Sequence, residues 1–184
     1  MESKFNLELK YHCQAFRPLR LILKDLGARS VVTKRQKDYF FNLPVARDME
    51  ILPRLKLRVE SQHRELIYYQ RPPFAEQWGA TADVTLYPVR DRTFFDFLRK
   101  VLGVLAVVEK TRELWRKGNV TFHLDRVKGV GNIFEIEILT TPRNRSRDRK
   151  KFSDYRKKFL PYLDRMVKGS NLDLVLRQAA IRKS

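Results

Sequence analysis

Four carboxylates on strand-like segments of this chain, Glu8, Asp125, Glu135 and Glu137, have the chemistry to hold a hard cation. Two groups of cations at two-residue spacing complement them: Arg54, Lys56 and Arg58 in one segment, Lys110 and Arg112 in another. Carboxylate oxygens in a row are the ligands that Mg²⁺ or Mn²⁺ takes. Guanidinium forks and ammonium groups bind phosphate oxygens. Turned toward one another, the two sets describe a site for a metal-bound triphosphate.

What would turn them toward one another is a sheet with two unlike faces. In Phe5 to His12, Phe5, Leu7, Leu9 and Tyr11 alternate with Asn6, Glu8, Lys10 and His12. The same period of two runs through 54–60, 120–125 and 134–138, and it predicts strands. Further strands are expected near 30–42, 65–71, 80–87 and 104–116. Helices are predicted around Leu19 to Leu26, ended by Gly27, and from an Asp91 cap through Phe94, Leu98, Val101 and Leu102 to Gly103. Residues 143–158 read as a basic loop leading into a solvated helix, and 171–181 as a last helix. Each half of the chain reads strand, helix, three strands, and the sequence after Leu26-Gly27 is similar to that after Leu102-Gly103: a weak internal repeat.

One or two such strands would suit an open sheet with a charged face in water. Eight of them, basic in some strands and acidic in others, suit closure better. A barrel turns both sets into one lumen and leaves an apolar outer face for helices. The expectation is therefore an α+β chain, mostly antiparallel β: an eight-stranded closed barrel with a polar lumen and helices packed outside, forming one domain over 1–184.

The totals agree with a globular protein that has an anionic partner. Of 184 residues, 43% are hydrophobic, and Lys plus Arg exceeds Asp plus Glu by 39 to 21, a net charge of +18. The lone Cys13 has no partner for an internal disulfide and reads as a packing residue. The amino terminus lacks an apolar signal core and no stretch suits a membrane span, so a cytoplasmic protein without membrane contact is expected.

Several segments together resemble the CYTH family, the triphosphate tunnel metalloenzymes, and within it the class IV adenylyl cyclase-like branch. They are Asn6-Leu7-Glu8-Leu9-Lys10, Gln36-Lys37-Asp38-Tyr39-Phe40-Phe41, Leu55-Lys56-Leu57-Arg58 and Lys110-Thr111-Arg112. Leu124 to Gly131, followed by Phe134-Glu135-Ile136-Glu137, carries most of the likeness, and Ser170 to Leu174 ends it. The resemblance implies that Glu8, Asp125, Glu135 and Glu137 hold Mg²⁺ or Mn²⁺. It implies that Lys10, Lys56, Arg58, Lys110 and Arg112 clamp the triphosphate; Arg54, which shares the basic face near the start of its strand, is a further candidate for that role. Glu8, Lys10 and Gln70 fall at its catalytic positions. Three departures stand out: Asn6 replaces the family's first Glu, Gln70 replaces a Lys, and Thr81 to Leu86 keeps a single acid, Asp83. Gln cannot act as a base near neutral pH.

The expected function is a metal-dependent enzyme acting on a triphosphate such as ATP, inorganic tripolyphosphate or thiamine triphosphate, by hydrolysis or by cyclisation. One alternative is a weakened or inactive polyphosphate-binding or nucleotide-binding protein. A nucleic-acid binder using the basic surface, the run 143–158 included, ranks below both. Monomer and homodimer are equally compatible with the sequence.

Overall fold

A computed structural model of the chain describes residues 5–44, 52–61, 63–71 and 83–181. The strands are β1 (Phe5–His12), β2 (Arg29–Phe41), β3 (Leu52–Glu60), β4 (His63–Arg71), β5 (Asp83–Pro88), β6 (Val104–Lys117), β7 (Val120–Val127) and β8 (Gly131–Thr140). Helices α1 (Phe16–Asp25) and α2 (Phe94–Leu102) precede β2 and β6; α3 (Arg145–Phe159) and α4 (Asn171–Ile181) follow β8. Expected residues 80–82 of the fifth strand lie outside the described residues. So do the side chains of Asn6, Arg71 and Asp83.

All eight strands form one antiparallel sheet in the order β1-β8-β7-β6-β2-β3-β4-β5. The order is a palindrome about the β2–β6 junction, where Lys34 opposes Arg112 and Gln36 opposes Lys110. The internal repeat thus becomes an approximate two-fold: β1-α1-β2-β3-β4 corresponds to β5-α2-β6-β7-β8. Gly27 (φ +70°) and Gly103 (φ +68°) follow the two equivalent helices in a left-handed conformation that disfavours a Cβ. Among the described residues no ladder joins the edge strands β1 and β5. The sheet curls instead, so that side chains from both edges line one cavity.

Alternation sorts the faces. The outer side of β7 and β8 presents Phe122, Leu124, Phe134 and Ile136, all fully buried, to α1 and α3. There Phe159 packs on Phe122 and Phe134 with ring centroids 5.6 and 4.6 Å apart. The other half of the outer face, Phe41, Leu57 and Leu66, packs under α2 with Leu98 and Phe95. Helix α4 lies elsewhere. Its Leu172 and Leu174 meet the inward side chains Phe40, Val108, Val127 and Ile133 and so close one end of the curl.

Two local expectations need correction. Asp91 does not cap α2 directly: its carboxylate accepts from the Thr93 N–H and hydroxyl at 2.8 Å, which makes a turn before Phe94, with Thr93 at the N-cap position. Nor is α3 solvated all round. Asp148, Phe152, Tyr155 and Phe159 recur at helical spacing and are buried, while basic residues fill the outer face. Cys13 is 5% exposed, and burial pushes its thiol up to about 12, as suits a packing residue.

Candidate functional site

The inward face of the curl encloses a cavity of about 360 Å³. From the predicted set it is lined by Glu8 and Lys10 (β1), Lys56 and Arg58 (β3), Lys110 and Arg112 (β6), and Glu135 and Glu137 (β8). Strand register explains the gathering. Glu8 sits opposite Glu137 and Lys10 opposite Glu135 across β1–β8, and Arg112 sits opposite Asp125 across β6–β7. Residues directly opposite in an antiparallel pair share a face.

Two buried aspartates organise the cations. Asp38 accepts from Lys56 at 2.8 Å and from two nitrogens of Arg58 at 2.8 Å. Asp125 accepts from Lys110 at 2.8 Å and from two nitrogens of Arg112 at 2.6 Å. Each aspartate therefore fixes a Lys-x-Arg pair in a bidentate fork, which holds the donors in place before any ligand arrives. Burial opposes ionisation of both acids, but the adjacent cations outweigh it and hold both well below the usual carboxylate range. Burial pushes the Lys110 ammonium down to about 7, with Arg112 adding to the shift and Asp125 opposing it. Burial likewise brings Lys56 to about 8, against the pull of Asp38. Arg112 is raised: burial works against its charge, and Asp125, Glu135 and Glu137 more than offset that.

The acidic wall is wired to the same cations. Lys10 lies 2.8 Å from Glu8 and 2.9 Å from Glu135, and Arg112 reaches Glu135 at 3.2 Å. His123 is 2.9 Å from Glu137. Burial would raise Glu135, but Lys10, His123 and Arg112 hold it below the usual range. Among the described residues no three His, Cys, Asp or Glu side chains converge as a formed metal cage. The donor chemistry nevertheless suits a hard cation: Glu8, Glu135 and Glu137 offer carboxylate oxygens from two paired strands on one wall.

Three predicted residues stand apart. Asp125 does not line the cavity; it is 1% exposed and its oxygens accept from Lys110 and Arg112. Arg54 points along the row of Lys56 and Arg58 but ends on Asp173 of α4 at 3.1 Å, outside the lining set. Gln70 lies on the opposite face from the lining residues Glu65, Ile67 and Tyr69, and donates to the Tyr68 hydroxyl at 3.0 Å. The two-residue period of β4 turns it away from the cavity.

Other lining residues had no metal, phosphate or catalytic role in the sequence reading: Asp38, Phe40, Glu65, Tyr69, and Ser170 and Asn171 at the start of α4. Asp38 had one usable signal, its shared parity with Gln36; its place opposite Arg58 across β2–β3 comes from register. The cavity's formal charge balances, with Lys10, Lys56, Arg58, Lys110 and Arg112 against Glu8, Asp38, Glu65, Glu135 and Glu137. The excess of +18 therefore lies outside it, much of it on the exposed face of α3, at Arg145, Arg147, Arg149, Lys150, Lys157 and Lys158. No helix among the described residues is long and apolar enough to cross a membrane.

Comparison with known proteins matches this architecture. Pyrococcus horikoshii protein PH1012 has a similar fold: TM-score 0.74, 22% identity, 92% of this chain and 98% of that one covered. A Hippeastrum protein whose structure is described as a "putative adenylyl cyclase" with "a dominant triphosphatase activity" aligns with TM-score 0.58 and 16% identity, over 83% of this chain and 87% of that one. In sequence, a Methanocaldococcus jannaschii protein named "putative adenylate cyclase" is 26% identical over 117 residues, 62% of this chain and 66% of the relative's length, just under two thirds of it. The model of the CYTH domain matches residues 4–166, and the chain belongs to the CYTH domain family.

Proposed function

We propose that the chain is a divalent-metal-dependent enzyme that acts on a triphosphate held in the cavity. One observation carries the reading: preorganised Lys-x-Arg pairs face an acidic wall across a space of about 360 Å³. Lys56, Arg58, Lys110 and Arg112 bind the phosphoryl oxygens and neutralise the charge that grows on them during transfer. Asp38 and Asp125 keep those four groups aimed. Glu8, Glu135 and Glu137 would hold the metal, which supplies Lewis-acid stabilisation of the phosphate when bound.

Metal dependence has an electrostatic reason in this chain. The lining sums to zero formal charge, so a polyanionic triphosphate entering alone would meet five carboxylates with no surplus of cations. A divalent ion brought with the triphosphate offsets part of its negative charge and gives Glu8 and Glu135 a partner when Lys10 turns to phosphate. Names carried by relatives, adenylate cyclase and triphosphatase, both describe attack at a triphosphate phosphorus. Hydrolysis and cyclisation differ in the nucleophile, water or a ribose hydroxyl, and both use this clamp.

Purified protein incubated with tripolyphosphate, ATP and thiamine triphosphate, each with Mg²⁺ or Mn²⁺, separates the outcomes. Metal-dependent phosphate release supports hydrolysis, and cyclic AMP from ATP supports cyclisation. Absence of both turnover and binding for all three compounds overturns the reading.

A further inference from the structure

Much of the surplus positive charge gathers on one surface. Helix α3 turns Arg145, Arg147, Arg149, Lys150, Lys157 and Lys158 to solvent, and Asp154 is the one exposed acid on the helix. Its apolar stripe, Phe152, Tyr155 and Phe159, is buried on the outer face of β7 and β8, away from the cavity. Helix stability does not account for this arrangement. Arg145 and Arg147 stand in the first turn, at the positive end of the helix dipole, where acids are favoured. Arg145 with Arg149, and Arg147 with Lys151, are like charges four residues apart, a spacing that favours opposite ones. Among the described residues, Arg145, Arg149, Lys150, Lys157 and Lys158 make no ion pair. The basic surface runs on past the helix. Lys151 donates to Asn119 of the β6–β7 turn at 2.6 Å, next to exposed Arg116 and Lys117, and Arg116 lies directly opposite exposed Arg29 across β2–β6. Like charges at opposite strand positions repel, and an anion lying over them removes that cost.

From this geometry we infer that the α3 face is a docking surface for a nucleic-acid duplex, held through its phosphate backbone without regard to sequence. The surface lies on the outer side of the sheet, so it stands independently of the triphosphate reading of the cavity. Its length fits. From Arg145 to Lys158 the helix runs about 20 Å, and a duplex carries about a dozen phosphates over that distance. Its chemistry separates a duplex from other extended anions. Single strands are gripped by bases stacking on exposed aromatic rings, and the aromatic rings of α3 are buried. A helix lying on an acidic membrane turns its apolar residues outward to the acyl chains, and α3 turns its own inward. Exposed Leu160, Tyr162 and Met166 come only after the basic row. What α3 presents to a partner is charge, which meets phosphates at fixed spacing.

The test is fluorescence anisotropy of a short labelled DNA duplex of mixed sequence, titrated with the full chain at two salt concentrations. Six phosphate contacts predict a loss of affinity of roughly a thousandfold between about 50 and 200 mM salt. Arg149→Gln/Lys150→Gln/Lys157→Gln weakens duplex binding at least about tenfold at the lower salt and reduces the slope of log affinity against log salt by about three. Arg90→Gln/Arg92→Gln/Lys100→Gln removes the same charge near α2, on the other half of the outer face, and stays within about threefold of the wild type. All six positions are exposed, so both variants keep the buried core, which circular dichroism verifies. Equal weakening by the two variants assigns binding to net charge alone and overturns the inference, as does a wild type that leaves the duplex free at the lower salt. Tighter binding to the single strand, or to acidic phospholipid vesicles, than to the duplex overturns it as well.

Discussion

Replacing Asp125 by Asn separates an anchoring role from a metal-binding one. Asp125 is 1% exposed and faces Lys110 at 2.8 Å and Arg112 at 2.6 Å, with Asn171 at 3.5 Å. The amide fills the same space but removes the charge, which leaves Lys110 and Arg112 buried without their shared partner, with Glu135 3.2 Å from Arg112. Breaking a buried pair from one side costs about 3–5 kcal/mol, because the remaining charge stays desolvated. For a chain of this length, each kcal/mol shifts Tm by roughly 2–4 °C, so a fall of roughly 6–20 °C is expected. Tripolyphosphate supplies the missing negative charge and should therefore raise the Tm of the variant more than that of the wild type. Thermal and urea denaturation followed by circular dichroism, with and without tripolyphosphate and without added metal, measure both effects. A loss below about 1 kcal/mol, combined with a changed metal requirement in turnover, would refute the anchor and restore the ligand role.

Further predictions come from the same geometry. Lys110 titrates near 7 in the folded protein and near 10.4 unfolded. The unfolded chain then binds more protons between those values, so this group's contribution makes stability rise with pH across that window. Phosphate binding favours its charged form, so tripolyphosphate binding at pH 8 takes up protons, measurable by calorimetry in buffers of different ionisation enthalpy and diminished in Lys110→Met. Glu8→Gln with Glu137→Gln should lower metal-dependent turnover at least about a hundredfold while metal-free tripolyphosphate binding persists. Phe159→Ala, at the centre of the outer aromatic cluster, should cost about 3–5 kcal/mol in denaturant unfolding. Asp173→Ala removes the carboxylate that accepts from the Ser170 N–H and hydroxyl at 2.7 Å and pairs with Arg54; a loss of about 1–2 kcal/mol is expected.

The parts of the fold that depend on local alternation were legible in the sequence. Period-two patterning in 5–12, 54–60, 120–125 and 134–138 separates the inward charges from the outward core, and the structure keeps that division. It holds because a strand's side chains must alternate whatever surrounds it. Contacts that depend on register were not legible. Nothing local says that Asp38 meets Lys56 and Arg58, or that Asp125 spends both oxygens on Lys110 and Arg112. Gln70 shows the limit of motif matching: it occupies a plausible position in the string, but one step of alternation turns it out of the cavity. Net charge pointed to an anionic partner without locating its site. The +18 pointed to an anionic ligand, yet the cavity is balanced and the surplus sits on α3 and other outer surfaces. For α3, density of charge masked the sparse stripe of Phe152, Tyr155 and Phe159 that docks it.

The central claim, a triphosphate and a divalent ion together in this cavity, is tested most directly by a crystal soaked with a non-hydrolysable triphosphate and Mn²⁺. Anomalous scattering should place manganese beside Glu8, Glu135 and Glu137, with phosphates on Lys56, Arg58, Lys110 and Arg112. Phosphate density on the basic face of α3, with no manganese at the acidic wall, would contradict the account.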